Sequence, residues 1–125
     1  MNVVDSSGWI EYLLDSNRAD LFAPAIENTQ LLVVPSICFY EVTRYIHRNA
    51  SPVLMGLAEA VMRRGHVVAW TDARAVQTAD IATRHKLALA DAMVYACALE
   101  HGATLWTQDV DYADLPSVKL FPKAP

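Results

Sequence analysis

Short runs of apolar residues alternate along this chain with longer stretches of helical spacing, and few architectures accept that alternation. The runs are "NVV" ending at Asp5, "LLVV" (31–34), "VVAW" (67–70) and "ATLWT" (103–107), with "VKLF" (118–121) as a candidate fifth. They are apolar throughout rather than alternating, which suits strands covered on both faces. Between them, Ser6 or Ser7 can cap a helix through "GWIEYLLDS", and Ser36 can cap "ICFYEVTRYIHRN". Ser51 with Pro52 at the first helical position can open "PVLMGLAEAVMRR", Thr71 can open "DARAVQTADIATRHK", and Gly102 closes the segment after it. Strands that alternate with helices predict an α/β fold around a central, mainly parallel sheet of four or five strands.

With 125 residues and no repeat, low-complexity segment or linker, the expectation is a single domain over 1–125, with only the tail "PKAP" irregular. A chain of this size buries roughly two thirds of its unfolded surface, so it needs neither disulfides nor structural zinc. Cys38 and Cys97 sit in apolar stretches and read as reduced core cysteines. The start "MNVVDSSGWIEYLL" has no basic segment and carries Asp5 and Glu11, unlike a signal peptide. No apolar run reaches the ~18 residues of a membrane helix. A cytoplasmic protein is expected. The net charge of −4 provides no global basic field, so a polyanionic substrate would need local arginines or a bound cation.

One stretch conflicts with its own composition. "LALADAMVYACAL" (87–99) places a single charge, Asp91, among apolar side chains. A position near a helix start contributes about 0.3–1 kcal/mol from the dipole, which does not offset burying an unpaired carboxylate. A structural Asp–Arg pair is one answer; a metal ion is the better one. Asp5 ends the first strand and Asp109 lies two residues beyond the fourth, where parallel sheets open their ligand crevice. Either could also be a simple turn or cap. Glu41 sits among apolar residues of "SICFYEVTRYI", where Arg44 or Tyr45 could pair with it. Four carboxylates at one crevice would repel unless a cation joined them. Oxygen donors without a matched His or Cys set point to Mg²⁺ or Mn²⁺ rather than zinc. His47, His66, His85 and His101 show no ligand spacing and read as surface residues.

Taken together, "VVDSSGWIEYL", "SICFYEVTR", "LALADAMVYACAL" and "TLWTQDVDY" resemble the PIN domain, and within it the VapC-type toxins of toxin–antitoxin pairs. The resemblance spans nearly the whole chain and implies a three-layer α/β/α PIN-like fold. It implies a catalytic set of Asp5, Glu41, Asp91 and Asp109, with Asp5, Asp91 and Asp109 as metal ligands and Ser6 and Thr107 in support. Asp111 is a second candidate for the fourth acid. The implied activity is a Mg²⁺- or Mn²⁺-dependent endoribonuclease leaving a 5′-phosphate and a 3′-hydroxyl. Glu41 is the leading candidate to orient or deprotonate water. The implied partners are RNA, a cognate antitoxin whose C-terminal segment covers the active-site groove, and a second copy in a homodimer. The helices "GWIEYLLDS" and "ICFYEVTRYI" offer docking surfaces.

Arg44 and Arg48 follow Glu41 on roughly one helical face and are candidate RNA phosphate contacts, with surface ion pairs as the plain alternative. "RRGH" (63–66) and "RHK" (84–86) read as helix C-termini. Trp9, Trp70 and Trp106 could stack on bases, though their apolar settings favour core or interface roles. Two rival functions stand beside the nuclease. A phosphoryl-transfer fold of the haloacid-dehalogenase type would want "D-x-D" after the first strand, where this chain has "D-S-S". Both that type and a receiver domain would want a lysine near the late strands, where of Lys86, Lys119 and Lys123 none follows a strand end other than the last. A catalytically silent PIN scaffold that only binds or dimerises could have lost its acids, yet all four are present.

Overall fold

The computed structural model describes residues 1–124; Pro125, the end of the "PKAP" tail, lies outside them. Its frame is a sheet of β1 (Asn2–Val4), β2 (Leu32–Pro35), β3 (His66–Val68), β4 (Thr104–Thr107) and β5 (Val118–Leu120), in the order β3-β2-β1-β4-β5. Every pairing is parallel, so the candidate fifth strand is real and the sheet wholly parallel. Of the three inner strands, β1 and β2 carry the unbroken apolar runs because both their faces are covered: Val3, Val4, Leu32, Val33 and Val34 are fully buried. At the edge, the expected run "VVAW" shifts. The strand is His66–Val68, and Ala69 and Trp70 lie beyond it, exposed.

Helices α1 (Ser6–Leu13) and α2 (Ala19–Ile26) connect β1 to β2, and α3 (Ser36–Asn49) and α4 (Val53–Met62) connect β2 to β3. Helices α5 (Asp72–His85) and α6 (Leu89–Glu100) return the chain from β3 to β4. Right-handed crossovers place the last pair on the face opposite the first four, because the strand order reverses there. The three-layer α/β/α arrangement follows, with α6 packed on β1 and β2, and α2 and α3 on β1 and β2 respectively. The reversal falls between β1 and β4, and such a switch point leaves a crevice at the carboxyl ends of the strands. Asp5 and Asp109 come out of those two strands.

Several helix starts differ from the sequence expectation. Asp5, not Ser6 or Ser7, caps α1, and Pro35 precedes α3, making Ser36 its first residue. Helix α4 starts one residue after Pro52, although the Ser51 hydroxyl still accepts from the Val53 N–H at 3.3 Å. Thr71 caps α5 as expected, and Gly102 ends α6 with φ +59°. Helix α2 was not anticipated, since Pro24 inside it removes a backbone donor. Packing holds it instead: Phe22, Ala25 and Ile26 are buried, and Phe22 lies so close to Gly8 of α1 that a Cβ there would sit 2.6 Å from its ring.

Both cysteines are buried free thiols. Burial pushes Cys97 up to about 12 and Cys38 further still. Among the described residues, no helix is long and apolar enough to cross a membrane.

Candidate active site

The backbone N–H of Asp5 donates to the Trp106 carbonyl at 3.0 Å, which carries the β1–β4 pairing one residue beyond the strand. The side chain is therefore fixed at the switch point, only 5 % exposed. It accepts from Ser6 N–H at 2.8 Å, from the Thr107 hydroxyl at 2.9 Å and from the Ser7 hydroxyl at 3.4 Å. Donors normally favour the ionised form, yet this carboxyl is pushed up to about 6. Burial is the largest cause, and the charges of Asp91 and Glu41 add to it, against the Thr107 and Ser6 donors.

Glu41 reaches the same place from α3. The Ser6 hydroxyl donates to its Oε1 at 2.7 Å, so the serine next to Asp5 ties the first turn of α1 to α3. Asp91 stands half-buried in the first turn of α6. Burial raises its carboxyl above the ordinary range, followed by repulsion from Asp109, with Glu41 and Asp111 adding less. The Tyr112 hydroxyl opposes this by donating to Asp91 Oδ1 at 3.3 Å, and it also reaches the Asp91 carbonyl at 3.1 Å.

The fourth acid comes from the turn after β4. Thr107 Oγ1 accepts the Asp109 N–H at 3.0 Å while donating to Asp5, so a single hydroxyl sets both positions. Asp109 Oδ1 in turn accepts the Asp111 N–H at 2.9 Å and caps a 3₁₀ turn over Val110–Tyr112. One oxygen each from Asp91, Asp109 and Asp111 lie within 4.8 Å of one another. Asp5 is outside this tight triplet and joins it through its charge on Asp91 and through Thr107. The expected choice between Asp109 and Asp111 does not arise geometrically, because both are beside Asp91.

Among the described residues, none of Asp5, Glu41, Asp91, Asp109 or Asp111 has an ion pair with a cationic side chain. The Asp–Arg alternative for Asp91 therefore has no partner. Oxygen-only donors that repel one another and lack a counter-cation fit a hard divalent ion. Tyr112 was missed by sequence reasoning; its place directly after Asp111 was the only signal, and an aromatic there reads first as packing.

Arg44 and Arg48 are exposed on α3, beyond Glu41. Two histidines depart from the surface expectation. His85, the last residue of α5, is half-buried with its ring against Tyr95 of α6, and His101, the C-cap of α6, is half-buried with Nδ1 2.8 Å from the Cys97 carbonyl. Trp9 is fully buried and Trp106 half-buried, whereas Trp70 is exposed with its indole N–H donating to Thr78 at 3.2 Å.

Comparison with known proteins gives a family-level match and a set of structural neighbours. The family model described as "PIN domain" matches residues 3–118. No curated protein matches the sequence. A toxin–antitoxin complex from Klebsiella pneumoniae contains a chain of similar structure (TM-score 0.82, 19 % identity, 98 % of this chain and 100 % of that one). VapC20 of Mycobacterium tuberculosis, described as a Sarcin-Ricin loop cleaving toxin, aligns with TM-score 0.77 at 15 % identity over 93 % of this chain and 95 % of its own. DNA-bound VapBC from Salmonella typhimurium aligns with TM-score 0.75 at 17 % identity, covering 97 % and 96 %. At these identities the likeness establishes a shared fold.

Proposed function

The chain belongs to the PIN domain family, and from that premise we propose that it is a metal-dependent endoribonuclease, the toxin of a VapC-type toxin–antitoxin pair acting in the cytoplasm. The whole chain, 1–125, is read as its one catalytic domain. The observation that carries the proposal is the meeting of Asp5, Glu41, Asp91 and Asp109 at the sheet's switch point with, among the described residues, no cationic side chain in an ion pair with them.

Asp91, Asp109 and Asp5 would hold Mg²⁺ or Mn²⁺, with Asp111 within reach of the same ion. When bound, that ion would polarise a phosphodiester oxygen and lower the pKa of an attacking water. The remaining work belongs to the chain. Glu41 accepts Ser6 on Oε1, and Oε2 has no partner among the described residues. That free oxygen is suited to orient a water and take its proton. Thr107 holds Asp5 and the Asp109 backbone in register, and Ser6 holds Glu41. No covalent nucleophile is needed. Arg44 and Arg48 supply the local positive charge that a protein of net charge −4 otherwise lacks.

RNA as the substrate class is supported by the description of the Mycobacterium tuberculosis neighbour as a Sarcin-Ricin loop cleaving toxin. A cognate antitoxin is supported by the toxin–antitoxin complexes among the neighbours. Helices α1 and α3 would offer it a surface, and a homodimer is the expected assembly.

The test is to incubate purified protein with total cellular RNA and a mixed single-stranded pool, with Mg²⁺ or Mn²⁺, with EDTA, and with an Asp91→Asn control. Cut ends are mapped by sequencing. Metal-dependent cleavage that the variant lacks supports the proposal. Intact RNA in the presence of folded, metal-saturated wild type would favour the silent binding scaffold.

A further inference from the structure

Beside Glu41, Arg44 and Arg48, α3 carries two tyrosines, Tyr40 and Tyr45, to which the nuclease reading gives no role. Residues 37, 40, 41, 44, 45 and 48 recur at helical spacing along one face, and they line a groove of ≈ 320 Å³ whose far wall includes Ala90 of α6. Ala90 directly precedes Asp91, and Glu41 lies within the groove, so it opens onto the acid cluster at one end. From Glu41 to Arg48 the face runs about 10 Å along the helix. Tyr40 is 52 % exposed and Tyr45 38 %. Among the described residues, neither tyrosine hydroxyl has a hydrogen-bond partner and neither Arg44 nor Arg48 has an ion pair.

Exposed aromatic rings interleaved with unpaired guanidiniums do not suit a purely apolar partner. They suit a chain with flat faces and regularly spaced negative charges. We infer that this groove is a single-stranded RNA subsite, where Tyr40 and Tyr45 stack unpaired bases while Arg44 and Arg48 hold the phosphates between them. The inference rests on the ribonuclease reading of the adjacent acids. The rings can stack only on bases freed from pairing, so a duplex cannot use them.

The test is fluorescence anisotropy in EDTA, where binding is separated from cleavage, with a short fluorescein-labelled single-stranded RNA pool and its duplex as probes. The proteins are wild type, Tyr40→Ala, Tyr45→Ala, both alanines together, and the double phenylalanine variant. The alanine pair is expected to lose affinity for the single strand about tenfold or more, with the phenylalanine pair close to wild type and duplex binding weak throughout. Arg44→Gln and Arg48→Gln should each reduce the slope of log affinity against log salt by about 0.7. The same proteins are assayed for cleavage of total RNA with Mn²⁺.

If wild type cleaves and the alanine pair binds and cleaves equally well, the subsite is overturned while the nuclease reading stands. If the tyrosines govern binding but wild type cleaves nothing, the subsite stands and the nuclease reading falls. If wild type neither binds nor cleaves, both fall. If the alanine pair binds RNA normally but escapes inhibition by the antitoxin encoded beside it, the groove is a protein-docking surface and the RNA assignment is overturned.

Discussion

The Thr107 hydroxyl donates to Asp5 Oδ2 at 2.9 Å across 102 residues of sequence, and its oxygen accepts the Asp109 N–H at 3.0 Å. One side chain thereby couples the first acid to the fourth. Thr107→Val keeps the shape and removes both bonds, leaving a buried carboxylate short of a donor. The expected cost is about 1–3 kcal/mol in urea unfolding, together with a fall in RNA cleavage, and Thr107→Ser should recover most of both. Equal stability of the valine variant would contradict the coupling.

Asp5 gives the chelated protein a defined pH dependence. Its carboxyl moves from an ordinary 3.8 to about 6 on folding, so the folded chain binds this proton more tightly than the unfolded chain. The contribution is fully present below about pH 3.8 and is lost as pH rises through about 6, amounting to ~3 kcal/mol by neutrality. Asp91 shifts in the same direction. The stability of Asp5→Asn relative to wild type, measured by urea titration in EDTA, should therefore increase between pH 4 and pH 7, over about that window. A flat difference would mean that Asp5 is not desolvated in solution.

Metal addition should reverse part of that penalty. Mn²⁺ at roughly a hundred times its dissociation constant is expected to stabilise wild type by about 2.7 kcal/mol, with a rise in Tm over the chelated protein. Asp91→Asn removes a ligand and a repelling charge together. It should be at least as stable as wild type in EDTA, yet gain little from Mn²⁺. A wild-type Tm that ignores the ion would count against the metal site.

Tyr112 is a positioning residue, because its hydroxyl touches Asp91 and nothing that reacts. Tyr112→Phe should cost about 1 kcal/mol of stability. It should also weaken Mn²⁺ binding in a titration of Tm, a readout that a purely packing role would leave unchanged.

Gly8 sets the spacing of α1 and α2. A Cβ there would stand 2.6 and 2.7 Å from two atoms of the buried Phe22 ring and 2.9 Å from Val4. Gly8→Ala should destabilise the chain by about 1–3 kcal/mol, and pairing it with Phe22→Leu should recover part of the loss. Additive losses would exclude this contact as the cause.

What could be read from the sequence was whatever rests on local chemistry. The β-branched runs at 2–4 and 31–34 mark buried parallel strands because a strand covered on both faces has no reason to alternate. Thr71 and Gly102 mark helix ends because their preferences are backbone-local. Asp91 stood out because a carboxylate among "LALA" and "AMVYACAL" needs compensation wherever the chain folds. Helix α2 was hidden, since Pro24 argues locally against it and only the burial of Phe22 and Ile26 outweighs that. The cap of α1 was misplaced onto Ser6 and Ser7 because an aspartate that ends a strand and one that starts a helix look alike in sequence.

By itself, then, the sequence determined the class of fold and the identity of the unusual acids, because periodicity and desolvation act within a few residues. Only the tertiary structure decided which acids meet and through what. Strand order β3-β2-β1-β4-β5 brings residues 5 and 107 together, and the turn after β4 places Asp111 beside Asp91 together with Asp109. Those relationships depend on which strands become neighbours and on side-chain contacts between distant segments, and no local pattern encodes either.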